Sequence, residues 1–160
     1  MHVHFIKTPE KRDIIKQLND QFGVTDLPYL LIESGKEKIR AFSGSLSKEE
    51  IAKLSEIAHI ELIGMYMIKK ESDMRLSLDA TNVLQKQITK NILELSDAEY
   101  ELWVRGTDLE IKKPRGTYVM KYKNDFVGCG RSNELCLFNY MPKDRRLKNQ
   151  IKKPIVPNSI

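Results

Sequence analysis

The segment Gly116–Arg146, GTYVMKYKNDFVGCGRSNELCLFNYMPKDRR, constrains this chain most, because glycines and turn residues cut it into short strands that lead directly into a basic run. Thr117 to Tyr122 is rich in β-branched and aromatic residues, Asn124-Asp125 is a pair that tolerates positive φ, and Phe126 to Ser132 reads as the returning strand of a hairpin. Leu135 to Tyr140 then reads as a third strand after the polar turn Ser132-Asn133-Glu134. Gly128 and Gly130 weaken a strand interior, a cost justified by a bulge, a barrel corner, or a backbone or ligand that comes close. The barrel corner is the favoured reading, and a small β-unit with a cationic exit points to nucleic acid.

At 160 residues and 41% hydrophobic, the chain can bury a core as one domain or two small ones. No run of about 18 apolar residues is present to span a bilayer, and MHVHFIKTPEKR lacks the charged-then-apolar order of a secretory signal, so a cytoplasmic protein without a membrane partner is expected. Cys129 and Cys136, the only cysteines, form no Cys-x-x-Cys pair and are expected as buried thiols. The net charge of +5 conceals an asymmetry: Leu109–Ile160 holds 12 Lys+Arg against 4 Asp+Glu, whereas residues 1–108 hold 15 against 18. A surface basic at one end attracts phosphate through counterion release, although a solvated tail would show the same charge pattern.

The first half reads as a compact α+β unit. Thr8 is placed to cap a helix with Pro9 at its first position, and Ile14, Ile15, Leu18 and Phe22 form an apolar stripe ending at Gly23. Tyr29 to Glu33 and Lys38 to Ser43 flank a turn at Ser34-Gly35-Lys36. Ser47 with Glu50 makes a capping box for a helix through about Ala58, with Ile51, Leu54, Ile57 and Ala58 on one face, and Glu61 to Lys69 reads as a strand. A short strand at Met74 to Leu78 leads to a helix from Thr81 to Ile88, and Ser96 with Glu99 opens another helix that stops at Gly106. The predicted layout is an α+β domain over 1–78, a junction over 79–91, a second domain over 92–150 and a basic flexible tail over 151–160.

The order helix, Arg105-Gly106, β-meander and basic exit resembles a PUA-like RNA-binding domain, a small mixed β pseudo-barrel. The similarity runs from about Ile92 to Lys148 and is nearest to stand-alone archaeal proteins that look like the C-terminal region of Sun/Fmu-family RNA cytosine methyltransferases. It is carried by Trp103-Val104-Arg105-Gly106-Thr107-Asp108-Leu109, Gly116-Thr117-Tyr118-Val119, Val127-Gly128-Cys129-Gly130 and Asn139-Tyr140-Met141-Pro142-Lys143-Asp144-Arg145-Arg146. Residues 81–95 are similar to the linker that precedes this domain, and the first 70 residues resemble the same group loosely. The resemblance implies binding of structured ribosomal or transfer RNA during its maturation or in ribosome biogenesis, without catalysis, because the methyltransferases' cofactor and cysteine nucleophile lie in a separate domain.

The residues expected to contact RNA are Arg105, Gly106, Lys121, Lys123, Arg131, Lys143, Arg145 and Arg146. Arginine forks match phosphate oxygens, Lys143 adds a point charge, and Pro142 stiffens the approach. Arg105 is equally suited to a structural place in the last turn of its helix. Tyr122, Phe138 and Tyr140 could stack on bases but are expected in the core. Gly128-Cys129-Gly130 lacks the helix and third glycine of a dinucleotide loop, Cys129 lacks a clear thiolate-stabilising neighbour, and His2 with His4 lacks a third metal ligand. His59 is expected at a helix end, facing the carbonyls. No catalytic residue, metal or cofactor is predicted. The rival reading is an adaptor subunit that docks a ribosomal protein or a separate RNA methyltransferase without touching RNA itself.

Overall fold

The computed structural model describes residues 3–148, so the expected tail over 151–160 and His2 lie outside the described residues. Strand β1 (His4–Phe5) is followed by helix α1 (Thr8–Phe22), which buries Ile14, Leu18 and Phe22. Its N-cap is Lys7 rather than Thr8, with Pro in the first turn, and Gly23 closes it at φ 84. Strands β2 (Leu30–Ser34) and β3 (Lys38–Phe42) form the expected hairpin, and α2 (Lys48–Ile57) opens on the Ser47/Glu50 capping box. Strands β4 (Met65–Lys70) and β5 (Met74–Leu76) complete an antiparallel sheet in chain order, β1 to β5.

Two expectations in this half need correcting. The strand expected from Glu61 starts at Met65, because Gly64 turns at φ +73 close against Ala41 and the Arg40 guanidinium captures the carbonyls of Ile63 (3.1 Å) and Gly64 (2.6 Å). A side chain thereby takes carbonyls that a strand would need for its ladder. The apolar face expected on α2 is buried only at Ile51: Leu54 is 40% and Ile57 84% exposed.

Helix α3 (Leu78–Val83) begins three residues earlier than expected, since Ser77 caps it by accepting from the Ala80 amide at 3.0 Å. It is followed by β6 (Ile92–Glu94), α4 (Asp97–Trp103) on the Ser96/Glu99 capping box, β7 (Gly116–Tyr122), β8 (Asp125–Ser132), β9 (Leu137–Asn139) and a 3-10 turn at Lys143–Arg145. The second sheet runs β6-β7-β8-β9, with β6 parallel to β7 and the rest antiparallel. The hairpin turn is Lys123-Asn124, with the positive φ of 53 on Lys123 rather than on the expected Asn124-Asp125 pair, since Tyr122 already pairs with Asp125. The third strand is shorter than expected because Asn133 folds back, its side chain accepting from the Leu135 and Cys136 amides.

The stretch 79–91, expected as a junction, is tightly packed. Ala80 and Thr81 of α3 are fully buried, and α3 contacts both β4 and β8. Further along, Gln87 Oε1 accepts from the Thr25 and Asp26 amides, and Thr89 donates its amide to Phe22. Val119, Phe126 and Cys129 of the second sheet accordingly belong to the same apolar cluster as Leu18, Phe22 and Met67 of the first half. A second cluster on the opposite face gathers Trp103, Leu109, Met120, Leu137 and Met141.

Trp103 anchors that second cluster. Its indole N–H donates to the Val127 carbonyl at 2.7 Å, and Gly130 lies beneath its ring. A Cβ at Gly130 would stand 2.8 Å from Trp103 Cη2 and 2.9 Å from the Phe138 carbonyl oxygen, so the expected corner glycine is also a close-approach glycine. Replacing Gly130 with Ala should cost about 1–3 kcal/mol through overpacking, read as a lower urea midpoint at unchanged slope; unaltered stability would show that the Trp103 ring moves aside freely.

Candidate nucleic-acid interface

The eight cations and turn residues expected to bind RNA do not form one patch. Arg105, just past α4, pairs with Glu101 at 3.3 Å. Gly106, at φ +86, lies directly under the Arg146 side chain, whose Nε donates to the Met141 carbonyl at 3.0 Å. Arg146 therefore fastens the chain after β9 to the end of α4, and its guanidinium is committed to packing. Arg145 reaches Asp79 at the start of α3 at 2.8 Å, a pair about half exposed on both sides. Lys143 is exposed and makes no ion pair among the described residues.

Lys121 and Lys123 lie near the β7–β8 turn, away from Arg131. Lys121 approaches Glu94 at 3.9 Å, while Lys123 lies 4.9 Å from the Tyr122 ring centroid. Hydrogen bonding to Tyr122 raises the Lys123 pKa, so it stays protonated. Tyr122, expected in the core, is half-buried; it stacks on Tyr100 at 3.8 Å and donates to Asp97 at 2.8 Å. Arg131 is held at the far end of β8 by Ser72, by Asp73 at 3.4 Å and by Glu71 at 3.8 Å. Glu71 also pairs with Lys69 at 2.8 Å and with Arg75 at 3.5 Å, so one acidic loop gathers cations from both halves.

Besides Lys143, cations that the sequence reading did not single out are left available. Lys112, Lys113 and Arg115, in the loop before β7, are all exposed and without an ion pair among the described residues. The loop is fixed by its backbone: the Lys113 carbonyl accepts from Ser132 at 2.7 Å and the Pro114 carbonyl from Tyr118 at 2.9 Å. A Lys-Lys-Pro-Arg run between Gly106 and Gly116 was the signal for it. Because Ser132 pairs with Leu137 at the start of β9, this loop lies at one end of that strand, and Lys143 follows its other end. Between them, Phe138 and Tyr140, expected in the core, are 39% and 37% exposed.

The loop joining α4 to this surface is set by Asn139. Its side-chain Nδ2 donates to the carbonyls of Trp103 (2.7 Å) and Thr107 (3.1 Å), and its Oδ1 accepts from the Met141 amide (2.8 Å). Burial pushes the Cys129 thiol up to about 12, so almost none is thiolate at neutral pH and a nucleophilic role is closed to it. Cys136 is less buried, with its pKa also raised, by desolvation first and by Asp108 second. Among the described residues no cluster of three His, Cys, Asp or Glu is suited to a metal, and no helix is long and apolar enough to cross a membrane.

The fold is a PUA-like one. Residues 90–147 match the family described as the methyltransferase RsmF PUA domain. The chain also shares its fold with a conserved PUA domain protein from Thermoplasma acidophilum, at 15% identity and a TM-score of 0.58, over 88% of this chain and 94% of the other. The fold match thus includes the first half as well as the PUA segment. A search of curated protein sequences finds no match.

Two results should follow from this geometry. Asn139→Ala leaves the buried Trp103 carbonyl and the part-buried Thr107 carbonyl without this donor and should cost about 2–4 kcal/mol in chemical unfolding; a change near zero would mean the α4–β9 connection is held without it. At pH 8 a disulfide exchange reagent should label Cys136 in the folded protein and reach Cys129 only on unfolding, so that Cys136→Ser shows no fast thiol.

Proposed function

We propose that this protein is a non-catalytic, cytoplasmic RNA-binding protein that engages structured ribosomal or transfer RNA during maturation or ribosome biogenesis. The observation that carries the reading is the placement of unpaired cations, Lys112, Lys113, Arg115 and Lys143, at the two ends of β9. Phosphate contacts of this kind release counterions and set register on the RNA without reading its sequence. Arg105 and Arg145 join them at small cost, because exposed ion pairs such as those to Glu101 and Asp79 contribute little stability and exchange readily for phosphate. Lys121, Lys123 and Arg131 extend the cationic surface along the meander, whereas Gly106 and Arg146 act by holding its shape.

A second reading, an adaptor that docks a ribosomal protein or a separate methyltransferase, is favoured by one observation. Leu46, Leu54, Ile57 and Leu62 are exposed beside an apolar groove of about 260 Å³ between α2 and the 60–64 loop. Nucleic acid stripped from the purified protein by salt supports the first reading, and a stoichiometric, salt-resistant protein partner supports the second.

The deciding experiment is a salt series of binding to structured RNA, double-stranded RNA and DNA. The combined substitution of Lys112, Lys113 and Arg115 by Ala should reduce the slope of log affinity against log salt by about two to three while leaving thermal stability unchanged. Arg146→Ala should instead destabilise the fold by about 1–2 kcal/mol. An unchanged slope in the triple variant would remove this loop from the interface, and absent RNA binding by the wild-type chain would refute the function.

A further inference from the structure

The outward face of β9 carries two features that an electrostatic interface does not use. Phe138 in β9 and Tyr140 just past its end alternate with buried Leu137, Asn139 and Met141, so both rings stand on the solvent side of this segment. A solvent-facing strand surface ordinarily carries polar residues rather than two consecutive outward rings. Each ring also has an arginine beside it. Arg131 is the cross-strand partner of Phe138, and Arg75, reaching over from β5, lies 3.9 Å from the Tyr140 ring centroid.

Below Tyr140 a cavity of about 70 Å³ opens between the two halves, with Tyr66, Arg75, Gly128 and Pro142 in its wall. Gly128 has φ +89, and a Cβ there would meet nothing closer than Leu78 at 3.5 Å. Its missing side chain leaves the floor open, unlike Gly130, whose space is filled by Trp103. Phe138 lies in β9 and Tyr140 just past its end, two residues apart, which in extended chain is about 6.7 Å between Cα atoms, twice the roughly 3.4 Å rise of successive bases.

We infer that this inter-sheet cleft captures an unpaired nucleobase of an RNA strand, stacked on Tyr140 under the Arg75 guanidinium, with Phe138 as the platform for a neighbouring base. The inference rests on the RNA-binding reading and adds to it a single-stranded element. In the unbound protein Arg75 occupies the plane that the base takes, and its 3.5 Å pair with Glu71 keeps the guanidinium within reach after it lifts. Stacking favours any base whose face is free, so the cleft distinguishes unpaired from paired nucleotides with little preference among bases. The cations at both ends of β9 then follow the strand's phosphates, and the rim arginines disfavour an apolar peptide in the same place.

The test compares a hairpin RNA carrying a short single-stranded overhang, with 2-aminopurine in the overhang, against the same hairpin with a blunt end. Tyr140→Ala should weaken binding of the overhang RNA by about tenfold and leave the blunt hairpin unaffected. Tyr140→Phe, which keeps the ring, should retain wild-type affinity and the quenching of 2-aminopurine that Tyr140→Ala loses. Equal affinity of Tyr140→Ala and wild type for the overhang RNA, or equal losses on both RNAs, overturns the cleft and leaves the phosphate-binding surface standing. Wild-type protein that binds neither RNA overturns the RNA-binding reading and the cleft together.

Discussion

The inner strands of the second sheet, β7 and β8, are buried on both faces, and most of the molecule follows from that constraint. Neighbouring residues of β7 point opposite ways, so Val119 enters the core shared with the first half while Met120 enters the core built on Trp103. A strand enclosed on two sides has no room for charge along its middle. In β8 the central residues are accordingly Gly128, Cys129 and Gly130, with Arg131 only at the far end. Helix α3 covers one face and α4 the other, and the two halves of the chain are joined by packing as well as by sequence.

In the second sheet polar surface is therefore pushed to the ends of the strands and to the loops. Partners sort the cations. Arg131, Arg75 and Lys69 are drawn to Glu71 and Asp73 at the seam between the halves, and Arg146 is spent on closing the chain over Gly106. Near β9 the exposed cations that make no ion pair among the described residues include Lys112, Lys113 and Arg115, on a loop fixed by its own backbone. A phosphate ligand meets these groups with little reorganisation, which is the condition under which charge contributes most to binding.

Local chemistry was legible in the sequence wherever it acts locally. The capping boxes at Ser47 and Ser96, the terminating glycines Gly23 and Gly106, and the hairpin around residue 124 all appear where the residue types place them, within a few positions. The motifs around Arg105-Gly106 and Val127-Gly130 likewise pointed to the domain family. Errors arose where tertiary contacts override local preference. Arg40 takes the carbonyls that a strand from Glu61 would have used, and α2 shows an amphipathic pattern whose outer members, Leu54 and Ile57, meet no core. The basic exit looked like a binding patch because charge is visible in sequence and its partners are not: Asp79, which claims Arg145, is 66 residues away. Residue type places Phe138 and Tyr140 in the core, whereas the alternation of burial over 137–141 turns them outward.

The central claim, that RNA lies across the cations flanking β9, is tested most directly by lysine acetylation footprinting of the wild-type protein with and without bound structured RNA. Protection at Lys112, Lys113 and Lys143, with Lys48 and Lys53 of α2 modified equally in both states, is the expected result. Protection confined to α2, or identical modification of the β9 flanks in the free and bound protein, would contradict it.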